Sequence, residues 1–236
     1  MQILYDNYIL TKMSSDSSIN VVPGFFLFEN IFSEDEEKKF MEHLEAEPGH
    51  FVSQIRPSHE FGWKFLERKG VGKPSISPLS QDEYLGPLPS WVLDMWEKCK
   101  SRNALPDGCR TSIPDHAIAN VYKPGDGCTG HVDDIHFWND WVVGVSFGSG
   151  VMLQLRSTEG PFYGPSINVW IPPKSVYVLS GEARYKHTHG IEFATSDIVK
   201  GETIKRGIRT SVTFRTIHKK YLSDGLRREV QIKKDE

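Results

Sequence analysis

The sequence predicts a mainly β protein with flanking helices (α+β), its core a double-sheet jelly roll. Three observations predict this. From Asp115 onward apolar and polar residues alternate with a period of two in short runs. Pro124-Gly125-Asp126-Gly127, Gly148-Ser149-Gly150 and Pro172-Pro173-Lys174 put turns between those runs. Two helical stripes precede them and pack outside the sheets.

Taken in order, residues 1–20 read as a flexible N-terminal segment, polar and serine-rich over 13–20, and structure begins near Val21-Val22-Pro23. Phe25 to Glu29 form a strand. Ser33-Glu34-Asp35-Glu36 is a capping box that opens a helix through about Glu47, with Glu36 placed to return a hydrogen bond to the cap. Residues 48–88, rich in Gly, Pro and Ser and including Phe61-Gly62-Trp63-Lys64-Phe65, read as loops and short strands that form a substrate lid. A second helix begins near Pro89 or Ser90, with Trp91, Met95 and Cys99 on one core-facing stripe. The candidate strands are Ala117–Lys123, Gly130–Asp133, Trp141–Gly148, Val151–Arg156, Ile167–Ile171, Val176–Ser180 and Ile208–Ile217. The working domain spans 21–218, and residues 219–236 form a charged C-terminal tail.

At 236 residues the chain fits one generous domain. A formal net charge of -3 argues against a strongly basic nucleic-acid coat but leaves room for a local basic groove. Lys200, Lys205, Arg206, Arg184 and Lys186 are candidates for such a groove, or else a scattered solvated face. Cys99, Cys109 and Cys128 lack a CxxC pairing, which favours a reducing compartment over a disulfide scaffold. No stretch approaches the roughly 18 apolar residues that span a membrane, and the N-terminus lacks a signal pattern. The expectation is an intracellular protein of cytoplasm or nucleus.

His131-Val132-Asp133 carries the chemistry. In an extended segment it puts an imidazole and a carboxylate on one face. With a distal histidine, His187 or His189, it makes the two-histidine, one-carboxylate facial triad of a mononuclear non-haem Fe(II) oxygenase. On the last strand Arg209, Ser211, Thr213 and Arg215 share a face, and the two guanidinium arms can bracket a short dicarboxylate bidentately. Asn120 and Tyr122 share a face of an earlier strand and can donate to the same carboxylates. Alone, either strand also fits a plain polar face; their coincidence with the metal pattern favours a site.

Asn120-Val121-Tyr122-Lys123-Pro124-Gly125, His131-Val132-Asp133, Arg184-Tyr185-Lys186-His187-Thr188-His189-Gly190-Ile191 and Arg209-Thr210-Ser211-Val212-Thr213-Phe214-Arg215 together resemble the AlkB family of Fe(II)/2-oxoglutarate dioxygenases, over roughly 21–218. The resemblance implies a double-stranded β-helix core and ferrous iron held by His131, Asp133 and His189. His189 is preferred to His187 because it directly precedes Gly190-Ile191, as the ligand does in AlkB-like sequences. It implies 2-oxoglutarate gripped by Arg209 with Tyr122, with Asn120 and Arg215 near its metal-chelating end and Ser211 also among the cofactor-binding residues. It also implies oxidative decarboxylation of 2-oxoglutarate with O2, giving succinate and CO2 and hydroxylating a C–H bond; an N-methyl carbon so treated leaves as formaldehyde.

Three further residues are candidates for touching substrate. Trp63 could stack an unpaired base or anchor the lid. Ile135 occupies the position where bacterial AlkB carries an acidic residue near the damaged base, and Asp134 adjoins it. His131 to Trp138 looks closer to a eukaryotic branch that includes a protein-lysine and DNA demethylase. Phe61-Gly62-Trp63-Lys64-Phe65 and Lys205-Arg206-Gly207-Ile208-Arg209-Thr210-Ser211 look closer to a branch that hydroxylates tRNA wobble uridines. The expected function is hydroxylation or oxidative demethylation of a modified nucleobase in RNA (tRNA) or DNA. The alternatives are an N-methyl-lysine demethylase acting on a protein and a catalytically silent binding module, the latter opposed by the intact ligand set.

Overall fold

The computed structural model describes residues 22–47, 57–64, 83–159 and 166–218. The N-terminal segment 1–20, most of the expected lid (48–56 and 65–82) and the tail 219–236 lie outside the described residues.

Among the described residues twelve strands and four helices follow in the order β1 (Phe25–Phe28), α1 (Glu34–Ala46), β2 (Ser58–Gly62), α2 (Ser90–Ser101), α3 (Asp107–Arg110), β3 (His116–Tyr122), β4 (Cys128–His131), β5 (Trp141–Gly148), β6 (Val151–Ser157), β7 (Ile167–Ile171), β8 (Ser175–Ser180), α4 (Gly181–Tyr185), β9 (His187–Ile191), β10 (Ser196–Val199), β11 (Glu202–Lys205) and β12 (Arg209–Arg215). A six-stranded sheet runs β1-β8-β5-β12-β3-β2 and a four-stranded sheet β4-β9-β6-β7, while β10 and β11 form a hairpin. All the pairings are antiparallel. Two antiparallel sheets enclosing a core, with helices outside, are the jelly roll the alternation predicts.

The six-stranded sheet separates two cores. On its outer face Val143, Val145, Phe147, Val176, Val178, Val212 and Phe214 pack against Phe40 and Leu44 of α1 and Trp91, Met95, Trp96 and Cys99 of α2. On its inner face Phe25, Leu27, Tyr122, Val142, Tyr177 and Leu179 meet Leu153, Leu155, Val169 and Ile171 of the smaller sheet. β5 is buried on both faces, which is why it reads as a nearly continuous apolar run.

The capping box of α1 forms as its spacing requires. The Ser33 side chain accepts from the Glu36 amide at 3.2 Å, and Glu36 Oε2 accepts from the Ser33 amide at 2.9 Å. α2 starts at Ser90 after Pro89 and buries the predicted stripe. Within the stretch read as lid, Ser58–Gly62 is an edge strand paired to β3, and Trp63 and Tyr84 form a bridge with rings 4.7 Å apart. β2, α3, α4, β9, β10 and β11 carry little periodic signal because each is five residues or fewer.

Candidate metal and dicarboxylate site

Register brings the distant histidine motifs together. β4 pairs with β9 so that His131 stands opposite His189, their ring centroids 4.4 Å apart. β9 pairs with β6 so that His189 stands opposite Leu155, a core residue, and so points between the sheets. His187 lies two residues toward the strand start, where its Nδ1 meets the Glu182 carbonyl at 3.2 Å. One ligand atom each from His131, Asp133 and His189 lie within 4.8 Å of one another; His187 does not belong to that group.

Asp133 reaches this place differently from the sequence expectation. β4 ends at His131, so Val132 and Asp133 lie beyond the ladder and not in a Gly130–Asp133 strand. Arg184, only 2% exposed, donates to the carbonyls of Asp133 at 2.8 Å and Asp134 at 3.1 Å and pulls the chain off the sheet. The Asp134 carboxylate then accepts the amides of His136 and Phe137, at 2.7 and 3.0 Å, closing the turn. Asp134 is thus occupied by the backbone, while Ile135 at the turn is 45% exposed.

The Asp133 carboxylate is buried and paired on one side alone. Arg215 Nη2 donates to Oδ1 at 2.8 Å. Oδ2 has no hydrogen-bond partner and faces His189 Nε2 at 3.9 Å; His131 Nε2 stands 3.8 Å from Oδ1. Burial works to raise the pKa of this carboxyl, but Arg215, His189, His131 and Arg184 overcome it and hold the group ionised, well below the usual range. Burial pushes His189 down to about 4, so its imidazole is neutral at physiological pH. A contact with Cys128 Sγ at 3.8 Å, the Thr129 carbonyl at 2.9 Å and the Asp133 charge push His131 upward against its burial. Two nitrogen donors and an unsatisfied carboxylate oxygen fit a divalent transition metal, and a half-exposed His131 leaves that side open.

Beside this cluster the inner face of the six-stranded sheet is polar. Arg209, Ser211, Thr213 and Arg215 share it, as the alternation of β12 requires. Ser211 pairs across strands with Ser146 and Asn120, and Asn120 in turn with Ser58. Asn120 Oδ1 accepts from Ser58 Oγ at 2.9 Å. Arg209, 3% exposed, stacks over the Tyr122 ring at 5.2 Å and donates through Nε to Ser146 Oγ at 3.0 Å. Its Nη1 is buried without a partner. An orphaned guanidinium nitrogen among hydroxyls and a phenol is a place for a carboxylate. Of the two expected arginines, Arg209 keeps a terminal nitrogen unpartnered, whereas Arg215 is engaged with Asp133 through Nη2, its Nε unpartnered, and packs 5.3 Å over Trp138.

Several expectations are corrected by burial. Trp63 is 2% exposed and packed on Tyr84, so its ring anchors the core. Arg184 does not line a phosphate groove, since it lies behind Asp133, nor does Arg206, which clamps Asp197 through two 2.6 Å bonds. Sequence reasoning missed Arg184 as a support for Asp133, Ser146 as the anchor of Arg209, and Tyr177, whose ring lies across Gly144 on the inner face. Gly144 in the interior of a largely apolar strand was the available signal.

The sequence pattern of the 2OG-Fe(II) oxygenase superfamily matches residues 24–215. The chain is 29% identical over 240 residues to the mouse (Mus musculus) tRNA (carboxymethyluridine(34)-5-O)-methyltransferase ALKBH8, covering 92% of this chain and 34% of that protein. It is 32% identical over 137 residues to the Xenopus laevis RNA demethylase ALKBH5, covering 53% of this chain and 34% of the other. The chain thus spans about a third of the length of these curated relatives. Among solved structures, that of OsALKBH1 superposes with a TM-score of 0.54 at 16% identity, covering 82% of this chain and 98% of that one, a likeness of fold.

Proposed function

This chain belongs to the 2OG-Fe(II) oxygenase superfamily, in its AlkB-like branch, and from that membership we propose that it hydroxylates or oxidatively demethylates a modified nucleobase in RNA, tRNA foremost, or in DNA. Fe(II) with 2-oxoglutarate and O2 are the cofactor and cosubstrates of the family. The observation that carries the proposal is two of the orphaned buried atoms, Asp133 Oδ2 facing His189 and Arg209 Nη1 on the adjoining floor. The nucleobase is supported by the relatives, whose names specify tRNA and RNA.

His131, Asp133 and His189 would hold the iron. When bound, iron with 2-oxoglutarate and O2 supplies the oxidation of a C–H bond, with succinate and CO2 as the other products. The rest is the work of the chain. Arg184 fixes the backbone that carries Asp133, and Arg215 takes one carboxylate oxygen, leaving the other free for the metal. Neutral His189 offers a nitrogen lone pair without first losing a proton. Ser146 and the Tyr122 ring fix Arg209 so that its free nitrogen meets a carboxylate with little loss of rotamer freedom. The two sheets keep bulk water from this floor, which strengthens each charged contact.

Succinate release from 2-oxoglutarate, measured with Fe(II) and with RNA or DNA oligonucleotides carrying methylated or carboxymethylated bases, tests the proposal. Expected is iron-dependent succinate matched by a mass change in one nucleoside. Turnover retained by His131→Ala would sink the iron-site assignment. Succinate stimulated by methyl-lysine peptides and by none of the oligonucleotides would sink the nucleobase reading.

A further inference from the structure

We propose that Tyr177 is a further dicarboxylate-binding residue, its hydroxyl donating to the carboxylate that Arg209 grips, and that position 144 is glycine in order to admit it. The proposal rests on the 2-oxoglutarate reading above and adds to it a residue from a different strand.

Strand geometry carries it. Inward positions on β5 include Ser146 and Gly144, two residues and roughly 6.6 Å apart at 3.3 Å per residue. From β12, on one side of β5, Arg209 leans over Ser146, which receives its Nε. From β8, on the other side, Tyr177 stands opposite Gly144 and lays its ring over it. A Cβ at position 144 would overlap that ring and meet the hydroxyl at 2.5 Å. No other residue type leaves the ring its place, and glycine inside a strand otherwise costs stability. The guanidinium and the phenol therefore converge above the same strand from opposite neighbours, one with an unpartnered buried nitrogen.

The chemistry agrees with the placement. Tyr177 is buried in the inner core together with Tyr122. Its burial raises the phenol pKa; Arg209 and then Arg215 oppose the rise, while Tyr122 and Asp133 add to it. The hydroxyl thus stays protonated and able to donate. A carboxylate seated on Arg209 would accept from the guanidinium on one side and the phenol on the other.

Calorimetric titration of 2-oxoglutarate into the full chain loaded with redox-silent Zn(II) tests this without turnover. Tyr177→Phe keeps the ring and removes the donor, and a hydrogen bond to a charged group of ordinary strength predicts about tenfold weaker 2-oxoglutarate binding. Zn(II) affinity and melting temperature should be unchanged, and with Fe(II) the KM for 2-oxoglutarate should rise while kcat moves less. Gly144→Ala, which retains the hydroxyl but displaces it, should weaken 2-oxoglutarate at least as much. Binding by Tyr177→Phe within about twofold of the parent would overturn the inference and leave the dioxygenase reading standing. Zn(II) uptake with no 2-oxoglutarate binding by the parent chain would overturn both.

Discussion

Glu36 and Asp133 are both carboxylates held ionised by neighbouring cations, and they differ in one respect that separates a structural site from a chemical one. Glu36, at the start of α1, is saturated. Its Oε1 accepts from Lys98 at 2.6 Å and Arg102 at 2.8 Å, and its Oε2 from Arg102 at 2.6 Å and the Ser33 amide at 2.9 Å. Arg102 also reaches the Ile31 carbonyl, so the group ties α1, α2 and the connection between β1 and α1 together. Asp133 is more deeply buried, yet one of its oxygens is left with no donor and faces the His189 imidazole, while His131 stands by the other. A fold gains nothing from an orphaned buried oxygen, which costs about 1–3 kcal/mol. The saturated carboxylate holds elements together, and the unsaturated one holds a place.

Replacing Asp133 should break the comparison most visibly. Asp133→Ala should reduce succinate formation to background and abolish the rise in melting temperature that Zn(II) or Mn(II) gives the parent chain. That rise is worth about 2.7 kcal/mol at a hundredfold excess over Kd, and a variant still stabilised by metal would refute the assignment. Arg184→Lys comes next. It keeps the charge but loses the fork that holds two carbonyls, and metal affinity should fall by about 10–100-fold; an unchanged affinity would make Arg184 a packing residue only.

Glu36→Gln should act in the opposite sense, costing about 1–2 kcal/mol of stability from a weakened cap and lost ion pairs with kcat and KM intact. Denaturant unfolding and steady-state kinetics would check both halves. The acid dependence is the smallest effect. The Arg102 hydrogen bond, helped by Lys98 and Ser33, lowers the folded pKa of Glu36 against its burial. Its stabilisation is therefore whole above the unfolded value near about 4.3 and drains away as pH falls below it toward the folded value. Glu36→Gln should flatten that part of the stability profile, and an unaltered acid limb would assign it to other carboxyls.

Ser33 and Glu36 were legible in sequence because a capping box is a local geometry, closed within four residues. The shared face of Arg209, Ser211 and Arg215 was legible because β12 alternates unbroken through its register with β3 and β5. Asp133 was found for a partly mistaken reason: it was assigned to a strand that stops at His131, and a side chain from α4, 51 residues away, sets its position. Trp63 and Arg184 show the same limit, since sequence reports an aromatic or a cation but not the depth at which tertiary packing sets it. Tyr177 was out of reach because its meaning lies in a neighbour on another strand having no side chain at all.

The strand order carries a consequence for how the molecule is made. β12 comes last among the described strands, yet it lies in the middle of the larger sheet, between β3 and β5. On a ribosome β3 and β5 emerge with a gap between them, and each waits with an unpaired edge until Arg209–Arg215 clears the exit tunnel. Pairing at such sequence separation is slow. Until then Asp133 lacks Arg215 and the floor lacks Arg209, so a nascent chain, or one truncated before residue 209, has its histidines but neither the arginines of the candidate dicarboxylate site nor a closed sheet.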